Sequence, residues 1–149
     1  MSQLRIFIAD PDRNGRLALQ MLLDHQPGME VVGIAVQKEG LVEQVTTIQP
    51  DVVLIDWKLL SSTPAAFINE LHNAHMNCQI IVMDVREETR YEVEIFGIDK
   101  FICKNGPPDK FLSMLQEIKE NKKIHNSHFN DRNYVWKRVE SISADNETG

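Results

Sequence analysis

With only two cysteines, seven glycines, six prolines and 7% aromatic residues among 149, the chain has few of the residues that staple or break a fold. Cys78 and Cys103 show no metal-ligand spacing and are too few for a disulfide framework, which points to reduced thiols and a cytoplasmic location. No charged-then-apolar leader follows Met1, and no apolar run approaches the roughly 20 residues that a membrane span requires. Positive charge is also short. Lys and Arg total 16 against 22 Asp and Glu, a net charge of -6, so the domain as a whole has no general attraction for nucleic acid or membrane surfaces. There is no internal repeat and no low-complexity run. The length suits one domain that buries roughly two thirds of the surface its unfolded chain would expose.

The chain does contain a regular alternation. Short apolar runs recur at Ile6 to Ala9, Val31 to Ala35, Val52 to Ile55, Ile80 to Met83 and Phe101 to Cys103. Each is separated from the next by enough residues to hold a helix. In the intervals the apolar residues switch to i, i+4, i+7 spacing: Leu41, Val45 and Ile48; Phe67, Leu71 and Ala74; Phe111, Leu115 and Ile118. Pro64 and the Pro107-Pro108 pair suit helix first turns, and Pro27-Gly28 and Gln49-Pro50 suit helix ends. Arg13 to His25 reads as a helix despite Gly15. Glu87 to Phe96 is also read as a helix, although Thr89, Tyr91, Val93 and Ile95 alternate as a strand would. Strict β/α alternation with right-handed crossovers predicts an α/β fold, a doubly wound five-stranded parallel sheet with helices on both faces. The most apolar strands should be central, giving the order 2-1-3-4-5.

Parallel strands bring their carboxyl ends to one edge, where open α/β sheets place their chemistry. The residues there are Asp10 with Asp12, Asp56, Asp84 and Lys104. Asp56 closes PDVVLID, and taken alone it reads as a helix cap or turn residue. As a set, three acidic strand ends and one lysine need mutual neutralisation, and oxygen-only ligands in a partly open site suit Mg²⁺. Lys58 and Arg86, each two residues past an aspartate, either relieve this acidic crowding or are solvated loop charges. Cys103 on its buried strand reads as core, and the five histidines show neither catalytic nor zinc spacing.

From about Leu4 to Glu120 the chain resembles the receiver domain of bacterial two-component response regulators. The resemblance rests on IFIAD ending at Asp10, PDVVLID ending at Asp56, the QIIVM strand and GIDKFICK ending at Lys104. The family shares the 2-1-3-4-5 order, so the topology expectation leans on the resemblance as well as on the apolar strands. It implies that Asp56 accepts a phosphoryl group from a histidine kinase or phosphotransfer protein and that Lys104 clamps the phosphoryl oxygens. It also implies Mg²⁺ held by Asp10, Asp56, the Lys58 backbone carbonyl and, in place of the family's second adjacent acid, Asp12. LLDHQPGMEVVGIA looks most like receivers that precede a helix-turn-helix output domain.

Several positions depart from the family pattern. Pro11 stands where a second acidic residue is usual, so the metal site is expected to be weak or absent. Leu59 to Thr63 lack the usual Met-Pro and Asp-Gly pattern, and Asn105 replaces the proline after the lysine. Asp84 stands at the switch position, where the family carries a Thr or Ser that donates to the phosphoryl group. Two unit charges about 5 Å apart at an effective dielectric of about 20 repel by roughly 3 kcal/mol, so an ionised Asp84 aimed at Asp56 opposes phosphorylation. Turned aside, it is expected to pair with Lys104 or Arg86. Phe101, at the aromatic switch position, reads as core packing.

Three functions compete. The first is a phosphorylatable receiver. The second is an atypical receiver used as a phosphorylation-independent interaction module. The third takes Asp10-Pro11-Asp12 as the D-x-D of a haloacid-dehalogenase-like phosphatase, against which stands Asn14 where those enzymes have Thr or Val. None makes the chain a conventional enzyme except the last. The expected division is a receiver over 1–123 and a polar tail or linker over 124–149, with a small cluster at Tyr134, Val135 and Trp136. If Tyr134 to Val139 begin a longer segment, the chain is expected to be the receiver part of a DNA-binding regulator; if not, a single-domain receiver whose output is a downstream partner protein. A homodimer through the fourth helix, fifth strand and fifth helix is expected by analogy.

Overall fold

The computed structural model describes residues 3–74, 77–98 and 100–127, with backbone alone for residues 72 and 123–127. The chain divides into two units after Pro107. The first holds the entire sheet. Its elements are β1 (Leu4–Ala9), α1 (Arg13–Asp24), β2 (Met29–Ala35), α2 (Leu41–Ile48), β3 (Val52–Asp56), α3 (Trp57–Leu60), α4 (Pro64–Asn73), β4 (Gln79–Asp84), α5 (Thr89–Ile95) and β5 (Phe101–Cys103). All pairings are parallel and the order is β2-β1-β3-β4-β5, as the apolar pattern and the family resemblance both imply.

The unbroken apolar strands are explained by burial on both faces. Phe7, Ala9, Val53, Ile55 and Val82 share one face and pack with Leu41 and Val45 of α2, Leu60 of α3, Phe67 and Leu71 of α4 and Val93 of α5. The opposite face, carrying Ile6, Ile8, Val52, Leu54, Ile81 and Met83, is equally buried. Two details differ from the sequence reading. A one-turn helix, α3, forms directly after Asp56, in a stretch given no helix in the sequence reading, because Asp56 acts as the helix cap it was read as when taken alone: its carboxylate accepts from the Lys58 backbone N–H at 2.8 Å. The insertion makes α5 the fourth of the expected helices. In α5 itself the apparent strand alternation resolves into two helical rows, with Thr89 and Val93 buried and Tyr91 and Ile95 exposed.

The second unit carries α6 (Pro108–Ser127), on which Phe111, Leu115 and Ile118 form one stripe. The helix continues past residue 123, into the polar stretch that follows Lys119, as far as Ser127. Tyr134, Val135 and Trp136 lie outside the described residues.

Gly33 is needed for packing. The β1–β2 register slips between Ile6 and Phe7, so that Val31 and Gly33 are successive partners. A Cβ at Gly33 would stand 2.6 Å from Phe7 Cδ2 and 2.8 Å from Ile48 Cδ1. Phe7 is fully buried and has nowhere to move. Gly33→Ala is therefore expected to destabilise the fold by about 2 kcal/mol, seen as a lower urea midpoint at unchanged slope.

Candidate functional site

The register determines which residues meet. Ala9 pairs with Ile55, so Asp10 and Asp56 end their strands level with one another. Both are fully or almost fully buried, at 0% and 1% exposure. Two carboxylates so placed repel strongly unless a cation is shared between them. Lys104, just past β5, supplies it: its ammonium lies 2.6 Å from Asp10 Oδ2 and is also paired with Asp56 Oδ2. Burial draws the Lys104 pKa down, but its hydrogen bonds to Asp10 and Asp56 and the charges of both outweigh burial and hold it above the usual lysine value.

Backbone groups complete the coordination of the two acids. Asp10 Oδ1 accepts from the Asp12 N–H at 2.9 Å, and Asp56 Oδ1 from the Lys58 N–H. The Arg16 guanidinium donates to the Asp10 carbonyl at 2.8 Å and holds the loop from the side of α1. Asp12 is the N-cap of α1, and its Oδ2 accepts from the Gly15 N–H at 3.1 Å. Gly15 matters for a second reason: a Cβ there would lie 3.0 Å from Asp10 Oδ2, 3.1 Å from Asp12 Oδ2 and 3.6 Å from Lys104 Nζ. The missing side chain leaves a small cradle lined by two acids and an ammonium. A glycine costs a helix about 1 kcal/mol relative to alanine, and its position inside α1 was the one sequence signal for this close approach.

The oxygen donors suit a hard cation in kind, but few side chains are available to hold one. Among the described residues no three His, Cys, Asp or Glu side chains group so as to hold a metal. Lys58, within α3, and Arg86, after β4, are exposed and make no ion pair among those residues.

Asp84 does not join this group. In a parallel ladder Asp56 pairs with Met83, so the pleat sends the next side chain, Asp84, to the other side of the sheet. The expected partners were Lys104 and Arg86. The observed partner of its carboxylate is Thr89, whose Oγ1 donates to Asp84 Oδ2 at 2.5 Å, while the Lys104 N–H bonds only the Asp84 backbone carbonyl at 2.8 Å. The sequence reading missed Thr89 because it lies one helix start away from the residue it serves. Phe101 is buried under the Arg90 guanidinium, 5.1 Å from its ring centroid. Cys103 is half-buried and its thiol faces the Val85 carbonyl, whereas burial pushes the Cys78 thiol up to about 12, leaving it inert as a nucleophile.

Comparison with known proteins agrees with this geometry. Residues 6–116 match the response regulator receiver domain family, and the chain belongs to it. Its sequence is 26% identical over 124 residues to the transcriptional regulatory protein DesR of Bacillus subtilis, covering 82% of this chain and 61% of DesR. It is 23% identical to the oxygen regulatory protein NreC of Staphylococcus aureus, covering 77% of this chain and 54% of NreC. The chain thus spans little more than half the length of these relatives. The fold is that of the NarL signal receiver domain from Mycobacterium tuberculosis, at a TM-score of 0.68 and 17% identity over 80% of this chain and 98% of that one. RcsB of Salmonella typhimurium superposes with a TM-score of 0.70 at 17% identity, covering 81% of this chain and 62% of RcsB. The chain is accordingly a receiver domain of two-component signalling, a signalling module and not a conventional enzyme, and the phosphatase reading of Asp10 and Asp12 is set aside.

Replacing Lys104 by Met leaves Asp10 and Asp56 buried without their shared cation and is expected to cost about 3 kcal/mol in urea unfolding at pH 7. Because the folded pKa of Lys104 is raised, its contribution is complete below the unfolded lysine value, 10.5, and is lost as pH rises through the higher folded value. The difference between wild type and variant should therefore hold steady from neutral to mildly alkaline pH and shrink only in strong alkali.

Proposed function

We propose that this receiver is a phosphorylatable switch with Asp56 as phosphoacceptor and Lys104 as the phosphoryl clamp. The observation that carries the reading is the Lys104 ammonium, bound at once to Asp10 and Asp56 at the carboxyl edge of the sheet. In the transfer, a carboxylate oxygen of Asp56 bonds to phosphorus as the phosphorus–nitrogen bond of a kinase or phosphotransfer phosphohistidine breaks, and the imidazole keeps the bonding pair. Lys104 then exchanges its contact with Asp56 for the new phosphoryl oxygens, which carry more charge than the carboxylate they replace. The Lys58 N–H at Asp56 Oδ1 fixes the rotamer of the nucleophile throughout.

Asp10, Asp56 and the Lys58 backbone carbonyl are the residues that would hold Mg²⁺. When bound, it would supply charge neutralisation for the transferring phosphoryl group and fill its remaining positions with water. Asp12 is assigned to the cap of α1, which leaves two carboxylates for the metal and makes the site a weak one. The naming of DesR as a transcriptional regulatory protein, and the length of DesR and NreC beyond the matched part, support a DNA-binding output domain beyond this segment. Residues 1–123 are then the receiver and 124–149 the connecting segment, in a cytoplasmic protein. The exposed Tyr91 and Ile95 of α5 offer a face for a second copy.

Intact mass after incubation with an acyl-phosphate donor and Mg²⁺ tests the central step. Wild type is expected to gain one phosphoryl group and Asp56→Asn none. If wild type gains nothing while Asp84→Thr does, the chain is instead a receiver fold used as an interaction module, the second reading its departures from the family favour.

A further inference from the structure

The geometry points to Thr89 as the positioning residue that holds the Asp84 carboxylate on the α5 side of the sheet, away from the Asp56 phosphoacceptor. The inference rests on the reading of Asp56 just given. Asp84 is buried, with 7% of its surface exposed, and Thr89 is fully buried, so the 2.5 Å bond between them lies in a dry environment. A buried carboxylate oxygen without a donor is costly, and among the described residues no other side chain is seen to donate to Asp84. Removing the Thr89 hydroxyl therefore drives the carboxylate to seek another donor or water. Across the strand end stands Lys104, whose backbone N–H already bonds the Asp84 carbonyl.

The next residue strengthens the arrangement. Arg90 lies over the ring of the buried Phe101 and is paired with Glu87 at 2.8 Å. Consecutive residues in the first turn of α5 thus hold the two positions, Asp84 and Phe101, that the family resemblance implies are switch positions. The orientation of Asp84 is tied to the seat of α5, and a displacement of that first turn would release a carboxylate at the edge where a phosphoryl group must arrive.

The test compares wild type, Thr89→Val, Thr89→Ser, Asp84→Ala and the Asp84→Ala/Thr89→Val double variant. Two quantities are measured: the rate of phosphoryl uptake from acetyl phosphate with Mg²⁺, in which acetate is the leaving group, and the urea unfolding equilibrium. Loss of the hydroxyl in Thr89→Val should slow uptake at least about tenfold, the scale set by a freed like charge beside the site. Thr89→Ser, which keeps the hydroxyl, should stay within about twofold of wild type, and the double variant should match Asp84→Ala. A packing role for Thr89 that is independent of Asp84 would not be rescued by deleting Asp84. Uptake by Thr89→Val equal to wild type, or a double variant as slow as Thr89→Val, overturns the assignment.

If neither wild type nor Asp84→Ala takes up phosphoryl groups, the reading of Asp56 fails, and the Thr89 bond is judged on unfolding alone. There, coupling of at least about fivefold in the unfolding constant supports it, and additive effects overturn it. A Thr89→Val chain that does not fold while the double variant does is the same coupling in its extreme form.

Discussion

One ammonium group sets the form of the carboxyl edge. Lys104 stands at the end of β5, a strand of three residues at the rim of the sheet, yet its partners lie on β3 and β1, on the far side of β4. The contact therefore spans four of the five strands. Without it, Asp10 and Asp56 would be two buried charges facing each other, a juxtaposition whose cost exceeds that of most single defects in a fold of this size. With it, the shortest strand is fastened to the centre, and the register of the sheet is reinforced at the edge where it would otherwise fray.

That reach depends on what β4 does not place in the way. Asp84 ends β4 between Lys104 and its partners in the strand order. An acidic side chain on the same side as Asp56 would compete for the ammonium and add a third negative charge to the group. The pleat directs Asp84 to the opposite side, and the Thr89 hydroxyl gives it a partner there. The acidic residue that ends β4 and the threonine five residues later are thus best understood together. Either alone leaves a local conflict, and the pair does not.

Most of the architecture could be read from the sequence because its signals were of long period. Five apolar runs, helical spacing between them and prolines at the boundaries fix a parallel α/β sheet with little ambiguity, and the residues at strand ends follow from that topology alone. Asp10, Asp56 and Lys104 were placed together on this basis, and the structure brings them together. What escaped was decided by side-chain direction over one or two residues. The one-turn helix α3 has no periodicity to betray it, only the capping capacity of Asp56. The strand-like alternation of α5 was ambiguous because i, i+4 rows separated by two positions look the same under either period. The turn of Asp84 to Thr89 required knowing on which side of the pleat a strand's last residue falls, and sequence spacing alone does not give that.

The division of labour between Asp10 and Asp12 bears on the order of events at the site. Asp12 is committed to the first turn of α1, where a cap of this kind contributes about 1 kcal/mol, so drawing it into a metal shell would uncap the helix. Asp10 is held by an ammonium and by the Asp12 backbone N–H. A divalent cation approaching this edge therefore meets carboxylates that are already neutralised, and it must compete with Lys104 for them. On the phosphorylation proposed for Asp56, an incoming phosphoryl group would change that balance. With Lys104 turned from Asp56 toward phosphoryl oxygens, Asp10 would lose part of its counter-charge and become a better ligand. Metal and phosphoryl group should consequently bind with positive coupling, each weak alone and each strengthened by the other, because both draw on the one lysine that the resting site uses to neutralise itself.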